Sequence, residues 1–213
     1  TLQQHNDQQL MVSVNNEKPK GKVMSLQQLK MVVVNYKQWL PRILLFSFYM
    51  TCNTFISQFA SSMSSYVIYS DDGRIPLLVT NGEPKWVVNR SLYMSVTAFF
   101  GLIGHLIGSR FAYKTKLTAV IGQQYTWLVV LMHLVLGVLA SCVLFIQPLL
   151  IMVCLAFLSM TNFWIYSSGI KFIDSHVDEQ YNLVALSTWL TISAFGQLIA
   201  QNTFEPVLNY VCN

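Results

Sequence analysis

Five apolar runs of about 20 residues dominate this sequence and constrain its fold more than any other feature. Each run carries almost no charge, as a helix must if it crosses a hydrocarbon layer about 30 Å thick. Because backbone groups in lipid have no water partner, each run is expected to be a helix rather than an isolated strand. The sequence therefore predicts an all-α polytopic membrane protein with five transmembrane helices. The predicted spans are about residues 43–69, 91–111, 125–146, 149–172 and 183–202.

The composition of the chain agrees with a membrane protein. Hydrophobic residues make up 54% of the chain and charged residues 10%, against roughly 25% charged residues in soluble domains. The net charge of +4 comes from lysines and arginines between or before the apolar runs, so it does not predict a nucleic-acid partner. Residues 1–38 are polar and predict a cytoplasmic linker, and residues 39–213 predict the transmembrane domain. The chain begins at Thr1, and we expect it to be a fragment of a larger protein.

The distribution of basic residues between the loops predicts the orientation. Lysine and arginine are retained on the cytoplasmic side of a membrane. With alternating spans, ten basic residues fall on the side of the amino end and three fall on the opposite side. The three are Arg74, Lys85 and Arg90, between the first and second spans. We therefore expect the amino terminus to be cytoplasmic and the carboxyl terminus to be outside.

The second span holds a histidine beside three glycines. On a helix, Gly101, Gly104, His105 and Gly108 fall within about 100° of arc, which sets a smooth strip beside the imidazole. An ionisable group at membrane depth costs about 3 kcal/mol or more, so it should face protein or water. Two interpretations stay open. Gly104 and Gly108 make a close helix contact crossed by a neutral histidine, or His105 lies on a water-filled substrate path.

Polar residues also occur inside the other spans. Asn53 and Gln58 lie in the first span, Asn162 in the fourth and Gln197 in the fifth. Each of them alone is more often a hydrogen-bonding contact between helices than a ligand contact. Together they favour a transporter or channel bundle over a set of simple membrane anchors.

The sequence contains no catalytic motif and no group with metal-ligand spacing. The acidic residues Asp174, Asp178 and Glu179 accompany His176 in a loop, which is typical of a solvated turn. Cysteines inside the apolar runs are typical of small packing residues. We therefore expect a protein that is not an enzyme and that has no cofactor and no metal site.

Two stretches of the sequence carry a resemblance to a known family. They are FFGLIGHLIGSRF in the second span and SMTNFWIYSSGIKF in the fourth, which is followed by a short charged loop and the glycine-bearing LSTWLTISAFGQLIA. Over about residues 36–205, the chain resembles the carboxyl half of the equilibrative nucleoside transporter family. That family has eleven spans and a long cytoplasmic loop before the seventh.

The second span departs from the family motif Asp-x-x-Gly-Arg. Gly108 stands at the glycine, His105 at the acidic position and Ser109 at the arginine, while Arg110 follows one residue later. An Asp and an Arg four residues apart share a helix face and can pair, whereas His105 and Arg110 are separated by about 140°. The expected ion pair of the family is therefore altered here.

The resemblance implies half of an eleven-helix, major-facilitator-like transporter that carries nucleosides or nucleobases by alternating access. The implied partners are the substrate, the lipid bilayer and a preceding six-helix amino-terminal half. His105 or Arg110 would donate hydrogen bonds to the substrate, and Trp189 would offer a stacking surface. The plasma membrane is the expected location, with an endomembrane as the alternative. Two other classes stay open: the carboxyl half of a major-facilitator-type transporter for another small solute, and a structural membrane protein that transports nothing.

Overall fold

Five long helices and one β-hairpin make up the described part of the protein. The structure is a computed structural model and describes residues 30, 33–68, 73–114, 121–145 and 147–212. In chain order, the elements are α1 (Tyr36–Ile68), β1 (Arg74–Thr80), β2 (Glu83–Asn89), α2 (Arg90–Lys114), α3 (Ile121–Leu144), α4 (Pro148–His176) and α5 (Glu179–Cys212).

The chain divides into two units, Thr1–Tyr36 and Lys37–Asn213. In the first unit, Lys30, Val33 and Val34 are helical and Asn35 forms a turn. The predicted polar linker over residues 1–38 lies almost entirely outside the described residues. The hairpin and the helices, with α1 counted from Lys37, belong to the second unit.

All five helices are long and apolar enough to cross a membrane. The prediction of five such helices is confirmed, and their length and composition indicate an integral, multi-pass membrane protein. The orientation in the membrane stays a prediction.

The helices run past the bounds that hydropathy predicts. α1 begins at Tyr36 rather than near residue 43, and α5 continues to Cys212 rather than ending near residue 202. Hydropathy marks the segment that lies in hydrocarbon, but helical hydrogen bonding continues into water wherever nothing interrupts it. Pro206 lies inside α5 and does not end it.

The segment between the first two helices was expected to be a loop and is an antiparallel hairpin. Its two-residue turn consists of Asn81 and Gly82, whose φ angles are 53° and 79°. A two-residue hairpin turn whose twist matches that of the paired strands requires positive φ at both residues. Asn-Gly is the preferred sequence for this turn. The pairing runs from Thr80 with Glu83 to Arg74 with Asn89. β2 leads directly into α2, with no residue between them.

Helix α4 lies between other helices in the second unit. Phe172 of α4 stacks on Phe46 of α1 with ring centroids 3.9 Å apart. Phe46 also meets Tyr125 of α3 edge to face at 4.8 Å. Pro148 occupies the first turn of α4, where its missing N–H costs nothing. This cluster of rings binds α1, α3 and α4 to one another.

The first and last of these helices, α1 and α5, lie side by side. Thr51 donates from Oγ1 to the Ile192 carbonyl at 3.3 Å, and Thr54 donates to the Ser193 carbonyl at 2.5 Å. Gly196 makes this approach possible, since a Cβ there would overlap the carbonyl oxygen of Thr51. The two helices are therefore joined by side-chain to backbone hydrogen bonds as well as by packing.

The turn between α4 and α5 is tied to the start of α1. Arg42 donates from Nη1 to the His176 carbonyl at 2.9 Å and lies 3.9 Å from the Asp178 carboxylate. Tyr181 donates its hydroxyl to Gln38 at 2.8 Å. The charged cluster was predicted to lie in a loop, but Asp174 and His176 belong to α4 and Glu179 to α5, because both helices run past the ends of the apolar segments. The cluster also contacts α1.

Candidate functional site

A cavity of about 400 Å³ opens between α1, α2 and α4. Half of its lining side chains are polar and uncharged, and the rest are small or apolar. Among the described residues, none that lines it carries a charge. The polar lining residues are Ser57, Ser61 and Ser64 of α1, Thr97 of α2, and Ser159 and Asn162 of α4.

Two asparagines from different helices meet beside this cavity. Asn53 is fully buried and donates from Nδ2 to Oδ1 of Asn162 at 2.6 Å. Asn162 lines the cavity, and both residues lie near the midpoints of their helices. The structure thus brings together two of the predicted site residues, which lie 109 positions apart in sequence.

Two buried polar atoms near the pair have no hydrogen-bond partner among the described residues. They are Oδ1 of Asn53 and Oγ of Ser57. Leaving a buried polar atom unpaired costs about 1–3 kcal/mol, so such atoms usually have a water or ligand partner. Ser57 lines the cavity, which is polar and large enough to hold a partner for its hydroxyl.

Two of the five hydroxyls that line the cavity use their protons on their own helices. Ser64 donates to the Ser61 carbonyl at 2.9 Å, and Thr97 donates to the Tyr93 carbonyl at 2.8 Å. A hydroxyl that uses its proton on its own helix keeps oxygen lone pairs for another partner. The wall therefore suits a neutral solute that carries hydrogen-bond donors.

His105 packs against α4 instead of lining the cavity. Its ring is half-buried and lies 3.5 Å from the ring centroid of Phe163, with 31° between the ring planes. Phe163 follows Asn162 directly in the chain. His105 therefore contacts α4 at the residue that follows Asn162, and it is not among the described lining residues.

The glycines of the second span make the close contact between α2 and α4. A Cβ at Gly104 would overlap the Ala156 carbonyl oxygen, and a Cβ at Gly108 would overlap that of Met160. Gly101 differs, because it lines the cavity and meets only Ser159 at an ordinary contact distance of 3.6 Å. The glycine strip thus serves helix packing at one end and cavity volume at the other.

Four predicted site residues lie away from the cavity. Arg110 is exposed near the end of α2, Gln58 is half-buried on α1, and Gln197 is exposed on α5. Trp189 is 1% exposed and donates from Nε1 to the Phe46 carbonyl at 3.2 Å. Its ring fills the space beside Gly169, where a Cβ would meet it at 2.5 Å. In this arrangement, Trp189 packs helices together and offers no face to a solute.

Sequence reasoning missed the serines that line the α1 wall. Ser57, Ser61 and Ser64 follow at spacings of four and three, which puts them on one helix face. That periodicity was available in the sequence. Serine is common in membrane helices as a packing residue, so the pattern needed a facing partner such as Ser159 to indicate a cavity.

The chain was compared with known proteins by sequence and by structure. No protein-family model, no curated protein and no solved structure matches this chain.

Proposed function

We propose that the protein takes part in facilitative transmembrane transport of nucleosides or nucleobases, as part of a larger transporter that works by alternating access. The observation that carries the proposal is the hydrogen bond between the buried Asn53 and the half-buried Asn162 beside a polar cavity. Substrate sites of secondary transporters lie near the bilayer midplane, and both asparagines lie near the midpoints of their helices.

The chemistry of the wall favours a neutral solute with several donors. The described lining carries no charge, so it would bind an ionised solute poorly. Hydroxyls of ribose and amino groups of bases are donors that could reach the acceptors of Ser64 and Thr97. Ser57 lines the cavity, and its Oγ, which has no partner among the described residues, supplies one more acceptor. Solute exchange with water is feasible because each lost contact is a single neutral hydrogen bond.

The outer face of α5 supports a larger assembly. Gln197 and Gln201 are exposed there, four residues apart on one helix face, although α5 is apolar enough to cross the membrane. Amide side chains at membrane depth are costly against lipid and usually face protein or water. We propose that a further six-helix half covers this face and that Gln197 then faces the passage between the halves. Arg110 and His105 remain proposed donors to the substrate in that assembly.

Two alternatives account for part of the same structure. A major-facilitator-type half for another small solute would also have a neutral, polar wall. A structural membrane protein would use the Asn53–Asn162 hydrogen bond only to join α1 and α4. The unpartnered atoms beside the cavity favour a transporter over this second alternative.

Uptake of labelled adenosine by cells that express the complete gene product tests the proposal. Asn162→Ala should lower uptake severalfold at equal surface expression, because it removes a polar group from the wall. Asn182→Ala is the matched control, since Asn182 bonds to Asp174 at the α4–α5 turn. Unlabelled nucleobase should compete with adenosine.

Three results would count against the proposal in different ways. Stronger competition by a sugar than by adenosine would favour the major-facilitator alternative. Absence of uptake of any tested solute would favour a structural protein. Unchanged uptake by Asn162→Ala would mean that the transported solute does not pass through this cavity.

A further inference from the structure

The β-hairpin is held firmly across one end of the helix bundle. Ile75 of β1 is 1% exposed and packs with Tyr93 of α2 and Met152 of α4. Gln147, in the turn before α4, donates from Nε2 to the Val79 carbonyl at 3.0 Å. The hairpin therefore lies where α2 and α4 reach the membrane surface.

In β2, side chains should alternate between the two faces of the hairpin, and this alternation is interrupted at Trp86. Alternation would place Trp86 on the same side as Val88, which packs against the Ile75 cluster. Trp86 instead has a φ of 53°, and the residues on either side of it keep their pairing. Lys85, Trp86 and Val87 are consecutive and all exposed, with Trp86 at 68% and Val87 at 49%. A left-handed conformation costs a residue with a Cβ roughly 1–2 kcal/mol.

We infer that Lys85, Trp86 and Val87 form a lipid-docking patch that inserts into the headgroup interface of the bilayer that the helices cross. Tryptophan is enriched at this interface because its ring is apolar and its N–H is polar. Lysine suits the same depth, since its apolar stem can lie among lipid groups while the ammonium reaches phosphate. Contact of the Trp86 ring with the interface offsets the free-energy cost of its positive φ.

The patch lies close in sequence to the start of the membrane helix α2. Trp86 lies four positions before Arg90, where α2 begins, so the patch lies within about 13 Å of the helix start along the strand. A headgroup layer is roughly 5–8 Å thick on each side of the hydrocarbon. A strand that leaves the membrane at this point must run through or along that layer.

A cleft beside the patch has the chemistry of a phospholipid headgroup site. It measures about 350 Å³ and is lined by Gly73, Arg74, Val87, Val88 and Asn89. A guanidinium beside an apolar side chain suits a phosphate joined to a glycerol. A protein partner fits less well, because two exposed apolar side chains are far short of the roughly 800 Å² per partner of a standard interface.

Spin labelling of the reconstituted full-length protein tests the patch. The probe is a nitroxide on Val87→Cys, in phosphatidylcholine vesicles, with Glu83→Cys on the same strand as the aqueous control and Leu134→Cys as the lipid reference. Leu134 is 64% exposed on α3, whose composition suits a membrane span. The native cysteines are replaced by serine. They are Cys52, Cys142, Cys154 and Cys212.

The ratio of oxygen to nickel-complex collision rates should be severalfold higher at position 87 than at position 83 and should approach that at 134. Adding Trp86→Gly, which accepts the positive φ without strain, should return the label at 87 toward the aqueous value while the protein stays folded. An aqueous ratio at 87 in the parent protein would overturn the inference. Shielding from both reagents would indicate a protein partner and would overturn it as well. An unchanged depth in Trp86→Gly would overturn the anchoring role of Trp86.

Discussion

Replacement of Gly108 by alanine should weaken the contact between α2 and α4. A matched glycine-to-alanine variant elsewhere in the protein serves as the control for this loss of stability. A Cβ at Gly108 would overlap the carbonyl oxygen of Met160, which belongs to backbone and cannot rotate away. The helices must therefore separate, and overpacking of this kind costs about 1–3 kcal/mol. At Gly137 of α3, a Cβ would meet nothing within 4 Å. Alanine gains about 1 kcal/mol over glycine in helix propensity at either position, so this term cancels when the two variants are compared.

Thermal unfolding in detergent micelles, followed by the loss of monodisperse protein on size exclusion, measures the difference. Gly108→Ala should have a lower midpoint than Gly137→Ala, by roughly 2–4 °C for each kcal/mol in a chain of this size. Equal midpoints for the two variants would refute the close approach of α2 to α4. A lower midpoint for Gly137→Ala would refute the open surroundings that the structure gives to that residue.

Three further substitutions test other contacts. Trp189→Phe loses the hydrogen bond to the Phe46 carbonyl and some packing volume, so the free energy of unfolding should fall by about 1–3 kcal/mol; an unchanged midpoint in the same thermal assay would contradict the burial of the indole. Arg42→Gln should lower the free energy of unfolding by less than about 1 kcal/mol, because the arginine side chain is 49% exposed although it bonds to His176. A larger loss would mean that this contact is shielded from water. Gly82→Val places a β-branched residue at a φ of 79° and should speed hydrogen exchange across the hairpin, and unaltered exchange would argue against that turn.

The hydropathy of the sequence was sufficient to predict the five helices. Helix formation in lipid follows from the lack of water partners for the backbone, so it depends on local composition alone. The ends of the helices were less predictable, as at Tyr36, because helical hydrogen bonding does not stop where hydropathy falls. The hairpin was not predicted although Asn81 and Gly82 are a strong turn signal, because long apolar runs predict membrane helices and carry no information about short strands between them.

The candidate site was only partly predictable, because its members come from three helices. The free-energy cost of an amide side chain in lipid indicates that Asn53 and Asn162 face protein or water, but it does not predict which residues they contact. Their contact depends on the rotation of α1 and α4 about their axes, which packing throughout the bundle sets. Trp189 shows the opposite case. Its indole ring would suit a stacking surface, but the ring fills the space that Gly169 leaves on the neighbouring helix.

The pairing of α1 with α5 has a consequence for biosynthesis. The hydroxyls of Thr51 and Thr54 bond to carbonyls 141 and 139 positions later in the chain. At a translation rate of about 5–20 residues per second, those carbonyls leave the ribosome roughly 7–30 s after α1 does. During that interval, α1 has entered the translocon without its final neighbour. The insertion machinery must therefore hold α1 close by, or release it into lipid and let α5 find it later, before the bundle can close.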